Sequence, residues 1–164
     1  MEIRDATDDD LPAITDLYNA LIPTTTVAWR DEPTTLDEQA EALGARRQAG
    51  YPTLVADDDG EVLGYTCLTT FRGKGFTGYR HTAELSVHVR GDRHGQRIGS
   101  TLIETLMDRA RADGLHVLVA AVDADNDASI RFHEALGFEQ VARMPEVGRK
   151  FDRWLTLVLL QRIL

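Results

Sequence analysis

The sequence has little cysteine and no long hydrophobic run, and both shortages exclude classes of protein. Its 164 residues include one cysteine, Cys67, so no internal disulfide can form. Cys67 lies in the strand-like stretch VLGYTCLTT, where a lone cysteine is usually a small buried hydrophobic residue. No apolar run approaches the ~18 residues of a membrane span, and charges at Glu2, Arg4 and Asp5 argue against a signal peptide. We therefore expect a protein of the reducing cytoplasm.

Positive charge is also scarce. The chain has 18 Lys and Arg against 27 Asp and Glu, which gives a net charge of −9. Neutralising a nucleic-acid backbone requires an excess of Lys and Arg, so general nucleic-acid binding is not expected. No repeat, low-complexity tract or Pro/Gly/Ser-rich linker divides the chain, which predicts a single domain over residues 1–164.

Hydrophobic periodicity and turn residues predict alternating strands and helices. The predicted strands are 1–7, two arms of a hairpin within 51–70, 81–89, 115–124 and 154–164. The predicted helices are 7–22, 33–50, 99–114 and 126–137, and a glycine-rich loop covers 71–80. Because strands and helices alternate in the second half, the fold class is α/β (α+β) around a mixed sheet.

The stretch AELSVHV alternates polar and apolar residues. Its polar members are Glu84, Ser86 and His88, and its apolar members are Leu85, Val87 and Val89. Successive side chains of a strand point to opposite faces, so one face carries three polar groups. We expect that face to border a cleft; the alternative is a sheet face exposed to water.

A basic, glycine-bearing turn over residues 90–97, the basic turn, leads from this strand into a helix. It contains Arg90, Arg93 and Arg97 in an otherwise acidic protein. A helix N-terminus offers free N–H groups and partial positive charge, which suit a phosphate. The stretch lacks the Gly-Lys-Ser/Thr of a Walker loop and the spacing of a dinucleotide fingerprint. It predicts a phosphate or pyrophosphate site, with a charged surface turn as the alternative.

A second polar set lies in DNDASIRFHEALGF. Asn126, Ser129 and His133 have spacings of i, i+3 and i+7, which place them on one face of the predicted helix. A lone helical histidine is more often structural than catalytic, but its alignment with Asn126 and Ser129 also favours a functional role.

With these segments in this order, the chain resembles the GNAT superfamily of acyl-CoA-dependent N-acetyltransferases over essentially its full length. Within the superfamily, the stretches TTTVAW, YRHTAELSVHV, GLHVLVAAVDADNDAS, HEALGF and VGRKFDRW resemble the phosphinothricin and methionine sulfoximine (or sulfone) N-acetyltransferases. The resemblance implies a mixed, mostly antiparallel central sheet, flanked by helices and splayed at the acetyl-CoA site. It also implies acetyl-CoA as co-substrate, no metal, a small-molecule amine acceptor and a homodimer, for which the apolar last strand is a candidate interface.

The resemblance, together with the patterns above, assigns the acetyl-CoA site to the end of the polar-faced strand, the basic turn and the helix with the second polar set. The predicted contacts are Val87, His88, Val89, His94, Gly95, Gln96, Arg97, Ile98, Gly99, Ser100, Asn126 and Ser129. Glu84 is the predicted general base for the amine, and the N–H of Val87 or His88 is the predicted oxyanion donor. His133 is a candidate acid for the leaving thiolate, with a structural or CoA-contacting role as the alternative.

The predicted acceptor is the α-amino group of a small amino acid analogue. Arg72 and Arg80 suit bidentate recognition of its acidic groups, and the other predicted acceptor residues are Thr25, Trp29, Phe76, Tyr79, Glu84, Leu85 and Ser86. Two alternatives remain: a GNAT enzyme acting on another amine, such as a protein N-terminus or lysine, and a non-catalytic acyl-CoA-binding module.

The sequence HGQRIG, residues 94–99, spans the end of the basic turn and the start of the helix. It departs from the family pattern Gln/Arg-x-x-Gly-x-Gly/Ala. His94 replaces the first residue and Arg97 the central glycine. Arg97 is either strained, if the turn requires a positive φ, or contributes its guanidinium to phosphate binding. Thr156 also stands near Trp154 where the family resemblance predicts Asp.

Overall fold

The computed structural model describes residues 1–73 and 75–164, and within them it places seven strands and four helices. The strands are β1 (Glu2–Asp5), β2 (Thr53–Asp58), β3 (Glu61–Thr70), β4 (Thr82–Val89), β5 (Val117–Asp123), β6 (Glu139–Lys150) and β7 (Arg153–Ile163). The helices are α1 (Leu11–Leu21), α2 (Leu36–Gln48), α3 (Ile98–Ala112) and α4 (Asp127–Ala135).

The strands form one sheet in the order β1-β2-β3-β4-β5-β7-β6. Every neighbouring pair is antiparallel except β4 and β5, which are parallel. The pairing of β4 with β5 ends at Leu85 and Ala120, although the strands continue to Val89 and Asp123. The two strands therefore diverge and open a strand gap, which confirms the expected splayed, mostly antiparallel sheet.

Each face of the sheet has its own hydrophobic core. On one face, α3 packs against β2, β3 and β4, and Leu85, Leu102 and Leu106 are buried there. On the other face, Tyr65 and Cys67 are buried against α1 and α2. Burying a leucine-sized side chain stabilises the fold by roughly 2 kcal/mol, so both helical layers are fixed strongly to the sheet. Cys67 is 2% exposed, and burial raises the pKa of its thiol, as expected for a structural cysteine.

The periodicity analysis gave no strand for residues 139–150, and the structure places the twelve-residue β6 there. Its sequence, EQVARMPEVGRK, contains Pro145 and Gly148, and its pairing with β7 shifts register twice. Most of its side chains are exposed, so the alternation that marks a half-buried strand is missing. Because β6 takes the sheet edge, β7 is an interior strand, and its backbone is not available to a second copy.

Candidate active site

The strand gap leaves backbone N–H groups of β4 without a strand partner. The Arg90 N–H donates to the Leu63 carbonyl, and the Ser86 carbonyl accepts from Thr66, so even-numbered residues direct their peptide groups toward β3. Peptide directions alternate along a strand, which turns the N–H groups of Val87 and Val89 toward β5. Since β5 has diverged there, the Val87 N–H is the donor directed into the gap, and the His88 N–H is not.

Glu84 lies at the end of the paired region, on the face covered by α1 and α2. Thr69 of β3 lies opposite Glu84, in the same register that pairs Tyr65 with His88. Residues directly opposite each other share a face, and Tyr65 belongs to the α1/α2 core. Glu84 is half-buried, and this burial raises the pKa of its carboxyl. A carboxylate with a raised pKa is a better proton acceptor at neutral pH than an exposed one.

The side chain of His88 is buried rather than available to a coenzyme. Its ring packs at 5.5 Å from the Tyr18 ring and 5.0 Å from the Tyr65 ring. Desolvation lowers the pKa of His88 to about 4, so the imidazole is neutral at physiological pH. His88 therefore shapes the α1/α2 side of the sheet, and its predicted acetyl-CoA contact is not supported by either its side chain or its N–H.

The basic turn is closed by hydrogen bonds and by two left-handed residues. The His94 ring lies 3.1 Å from the Val89 carbonyl, which ties the turn back to the end of β4. Gly95 has a φ of 79° and Arg97 a φ of 63°. The turn thus requires the positive φ that a central glycine would supply, and Arg97 adopts it at a cost of about 1 kcal/mol. Gln96, between them, is exposed.

The first turn of α3 presents free N–H groups beside the gap. Ile98 is buried and anchors the helix start, while Gly99 allows close packing because an added Cβ would lie 3.2 Å from the Phe132 ring. The Ser100 hydroxyl donates to the Arg97 carbonyl and closes the turn. No acidic residue occupies the first turn of this helix, so its partial positive charge is not offset there.

Two of the three arginines of the basic turn are already paired with carboxylates. Arg90 forms ion pairs with Glu61 and Asp92, and Arg93 lies 3.6 Å from Glu61. Within the described part of the chain, Arg97 has no ion-pair partner. The positive charge of Arg90 and Arg93 is thus partly offset by their partners, which leaves Arg97 and the backbone N–H groups as the groups best suited to a pyrophosphate.

The polar set of α4, predicted to share one face of the helix, is joined by hydrogen bonds. The Asn126 side chain accepts from the Ser129 N–H at 3.1 Å and caps the helix. The Ser129 carbonyl lies 2.8 Å from Nδ1 of His133. Asn126 thereby fixes the helix start, and Ser129 fixes the orientation of the imidazole.

His133 is not arranged as a proton donor. Its side chain is buried against Phe138, and desolvation lowers the pKa of the imidazole. In the neutral tautomer, Nδ1–H donates to the Ser129 carbonyl, so Nε2 carries no proton. Among the described residues, Nε2 also has no hydrogen-bond partner. The structure therefore favours the structural or coenzyme-contacting alternative over the general acid.

The predicted acceptor residues divide into separate groups. Phe76, Tyr79 and Arg80 line one cavity of about 490 Å³, formed by loop 71–80 with Tyr51. Arg72 is exposed and does not line it.

Ser86 lines a second cavity, of about 580 Å³, between the sheet and the helices α1 and α2. His88, Tyr18 and Arg46 lie around it. Neither Tyr18 of α1 nor Arg46 of α2 was predicted, and nothing in the polar pattern of α2 indicates which arginine faces the sheet. The Leu85 side chain points into the α3 core and is 4% exposed, so only its backbone can contact an acceptor.

Thr25 and Trp29 lie in residues 22–29, between α1 and α2, and contact the end of β6 instead of either cavity. The Thr25 hydroxyl donates to the Leu21 carbonyl at 2.6 Å. The Trp29 ring packs so closely on Gly148 that an added Cβ would lie 2.3 Å from it.

Thr156, where the family resemblance predicts Asp, has a backbone role. Its carbonyl accepts a hydrogen bond from the Ala124 N–H, which any residue at this position could do.

The geometry fits a coenzyme that carries a diphosphate and an extended amide arm. Gly95, the free N–H groups of α3 and Arg97 suit the phosphates, and the Val87 N–H in the strand gap suits an amide or thioester carbonyl.

Within residues 1–73 and 75–164, no group of His, Cys, Asp or Glu is arranged to hold a metal ion. None of the helices described is both long and apolar enough to cross a membrane.

Known proteins are similar to this chain in sequence and in architecture. The family described as acetyltransferase (GNAT) matches residues 14–138. An L-methionine sulfoximine/L-methionine sulfone acetyltransferase from Pseudomonas paraeruginosa is 48% identical over 160 residues, covering 97% of this chain and 92% of that protein. A ribosomal-protein-alanine N-acetyltransferase from Brucella melitensis superposes with a TM-score of 0.96 at 41% identity over 100% of both chains. A phosphinothricin acetyltransferase from Sinorhizobium meliloti, solved in complex with acetyl-CoA, gives 0.94 at 33% identity over 99% of this chain and 88% of its own.

Proposed function

Because this chain belongs to the acetyltransferase (GNAT) family and is an acetyl-CoA-dependent N-acetyltransferase, we propose that it acetylates the α-amino group of a small amino acid analogue. The acceptor is of the methionine sulfoximine, methionine sulfone or phosphinothricin type. The observation that carries the proposal is the half-buried carboxylate of Glu84, at the point where β4 and β5 diverge. The 48% identical relative, named for methionine sulfoximine and methionine sulfone, supports the choice of acceptor.

Glu84 accepts the proton that the acceptor's ammonium must lose before attack, directly or through a water. An α-amino group is mostly protonated at neutral pH, so the reaction needs a base close to the nitrogen. Glu84 directly precedes Leu85, the last paired residue of β4, after which the strand gap opens, so the amine and the thioester can approach the same point.

The Val87 N–H stabilises the negative charge that develops on the carbonyl oxygen during attack. A single fixed donor of this kind contributes about 3 kcal/mol to transition-state stabilisation. Gly95, the first-turn N–H groups of α3 and Arg97 hold the diphosphate. Collapse of the tetrahedral intermediate completes the amide bond, breaks the thioester C–S bond and releases coenzyme A, whose thiolate takes up a proton equivalent to the one that the nitrogen loses. His133, held by Ser129, does not supply that proton.

The finer assignments complete the proposal. The chain is one domain that works in the cytoplasm as a homodimer, with neither nucleic acid nor membrane as partner. Exposed apolar side chains on and beside the edge strand β6 support an interface there; they are Val141, Met144, Val147, Phe151 and Trp154.

A second candidate acceptor is a protein N-terminus, because the Brucella melitensis structure carries that name. Mass spectrometry of products with acetyl-CoA separates the two. The panel contains methionine sulfoximine, methionine sulfone, phosphinothricin and a peptide with an N-terminal alanine, with Glu84→Gln as the inactive control. Acetylation of the three analogues but not the peptide supports the proposal. Acetylation of the peptide alone favours the alternative, and acetyl-CoA binding without any product would mean a non-catalytic module.

A further inference from the structure

Lys150, at the end of β6, is a buried cation whose hydrogen bonds, among the described residues, all go to backbone carbonyls. Its side chain is 3% exposed. The Nζ atom donates to the carbonyls of Ile22, Thr25 and Ala28 at 2.7, 2.9 and 2.6 Å. An ammonium has three protons, so these three bonds satisfy it completely.

All three carbonyls belong to residues 22–29, which we call the anchored loop. Its first residues continue α1, which packs against the interior strands β3 and β4, whereas Lys150 belongs to the edge strand β6. The strands β5 and β7 lie between these attachment points. Since α1 lies on the same face as Glu84, the anchored loop extends along that face toward β6.

A second contact fixes the other end of the anchored loop. Trp29 packs against Gly148, two residues before Lys150 along β6. Any side chain at position 148 would overlap the indole ring, so the close approach requires glycine. Ile22 and Ala28 are themselves 2% and 4% exposed, which shows that the loop is packed and not merely tethered by the ammonium.

Burying an ammonium opposes folding unless every proton is paired. A neutral side chain of similar length would fill the space, but it would leave three carbonyls without donors. A buried lysine is thus better explained by the conformation that it imposes on the loop than by its contribution to packing.

We propose that Lys150 is a positioning residue, which holds the anchored loop, and with it the next residue, Arg30, in the conformation that binds the amine acceptor. Arg30 lines the cavity of about 580 Å³ on the face of the sheet that carries Glu84. The inference rests on the proposed function, because it places the anchored loop on the acceptor side of the strand gap. It assigns Lys150 no contact with acetyl-CoA, whose predicted residues lie on β4, the basic turn, the start of α3 and α4. Lys150 therefore affects acceptor binding selectively.

The test compares steady-state kinetics of Lys150→Met and Arg149→Met with the wild type. Methionine keeps the length of the side chain but removes the three donors. We expect the acceptor KM of Lys150→Met to rise about tenfold or more, since small misplacements of a positioning element are costly. Its acetyl-CoA Kd should stay within about twofold. Arg149 is the exposed neighbour, which pairs with Asp152 and lies over the Trp154 ring, and its variant should match the wild type.

Two further variants keep the test decisive if Lys150→Met does not fold. Gly148→Ala displaces Trp29 while the ammonium stays in place, and it should also raise the acceptor KM. Lys150→Arg keeps the cation and should lie between wild type and Lys150→Met. Hydrogen exchange of residues 22–29 should be faster in every folded variant that raises KM.

Two outcomes would overturn the inference. One is an unchanged acceptor KM in the folded variants; the other is an equal weakening of acceptor and acetyl-CoA binding. A wild-type protein inactive on all amines would instead refute the proposed function.

Discussion

The two sides of the strand gap are built in different ways. The acetyl-CoA side is nearly continuous in sequence, from β4 through the basic turn into α3, and its donors are mainly backbone N–H groups. The proposed acceptor side combines side chains from distant parts of the chain: α1, residues 75–80, β4 and the segment that Lys150 of β6 holds. Local sequence sets backbone geometry, whereas a group of distant side chains depends on the whole fold. Mutations should therefore separate the two sides, with acceptor-side changes acting on KM or kcat and coenzyme-side changes acting on acetyl-CoA affinity.

The largest effect is expected at Glu84, where the two sides meet. Glu84→Gln removes the base but keeps the shape, so kcat at neutral pH should fall by about 10²-fold or more. Acetyl-CoA binding, measured by calorimetry, should be nearly unchanged. Glu104→Gln, on the exposed side of α3, is the matched control and should behave as wild type. Wild-type turnover in Glu84→Gln would remove Glu84 from its role.

The pH profile of kcat/KM should report the same carboxylate. Burial raises the pKa of Glu84 above its ordinary value of 4.5. The value of kcat/KM should therefore increase as the pH rises through that raised pKa, and it should be low at pH values below that pKa. The sign follows because only the deprotonated form accepts a proton. His88 stays neutral above pH 4 and adds nothing near neutrality. The acidic limb should be absent from the residual activity of Glu84→Gln, and an unaltered limb would assign it to another group.

On the acceptor side, Arg80 and Arg72 should differ. Arg80 lines the cavity of loop 71–80, and Arg72 does not. Arg80→Ala should raise the KM of a carboxylate-bearing acceptor about tenfold, the usual worth of a charge-assisted hydrogen bond. Arg72→Ala should raise it less. If Arg72→Ala has the larger effect, the cavity near Tyr79 is not where the acceptor binds.

On the acetyl-CoA side, Arg97 has two separable properties. Arg97→Ala removes the guanidinium but keeps the left-handed strain, and Arg97→Gly removes both. Both substitutions should weaken acetyl-CoA binding about tenfold, as measured by calorimetry. In denaturant unfolding, Arg97→Gly should be the more stable of the two by about 1 kcal/mol. Equal stabilities would mean that the turn relaxes around Ala, and unchanged affinity would mean that Arg97 does not contact the phosphates.

The smallest effect is expected at Arg90. Because Glu61 and Asp92 already pair with it, Arg90→Ala should change acetyl-CoA affinity by no more than about twofold. The titration that measures Arg97→Ala provides the comparison. A loss as large as that of Arg97→Ala would show that the ion pairs open when the coenzyme binds.

The elements of the proposed acetyl-CoA side were predictable because their signals are local. Strand alternation indicated that Glu84 lies on a polar face, and the family pattern, which has glycine where this chain has Arg97, raised the positive φ that is found there. Apolar periodicity predicted the helix α3. Each of these features depends on residues within about one turn or strand of each other.

The features that the sequence did not predict depend on distant partners. Glu61, which pairs with Arg90 and Arg93, comes from the hairpin of β2 and β3. The three carbonyls bound by Lys150 lie more than 120 residues away along the chain. β6 itself was missed because an exposed edge strand does not show apolar alternation. These contacts exist only once the sheet order is set.

The most direct test of the central claim is calorimetry of acetyl-CoA at low salt, with wild type and Glu84→Gln in parallel. The account predicts saturable binding of similar affinity to both proteins, with acetyl transfer to methionine sulfoximine by the wild type alone. Absence of saturable heat with the wild type would contradict the assignment of the strand gap and the basic turn to the coenzyme.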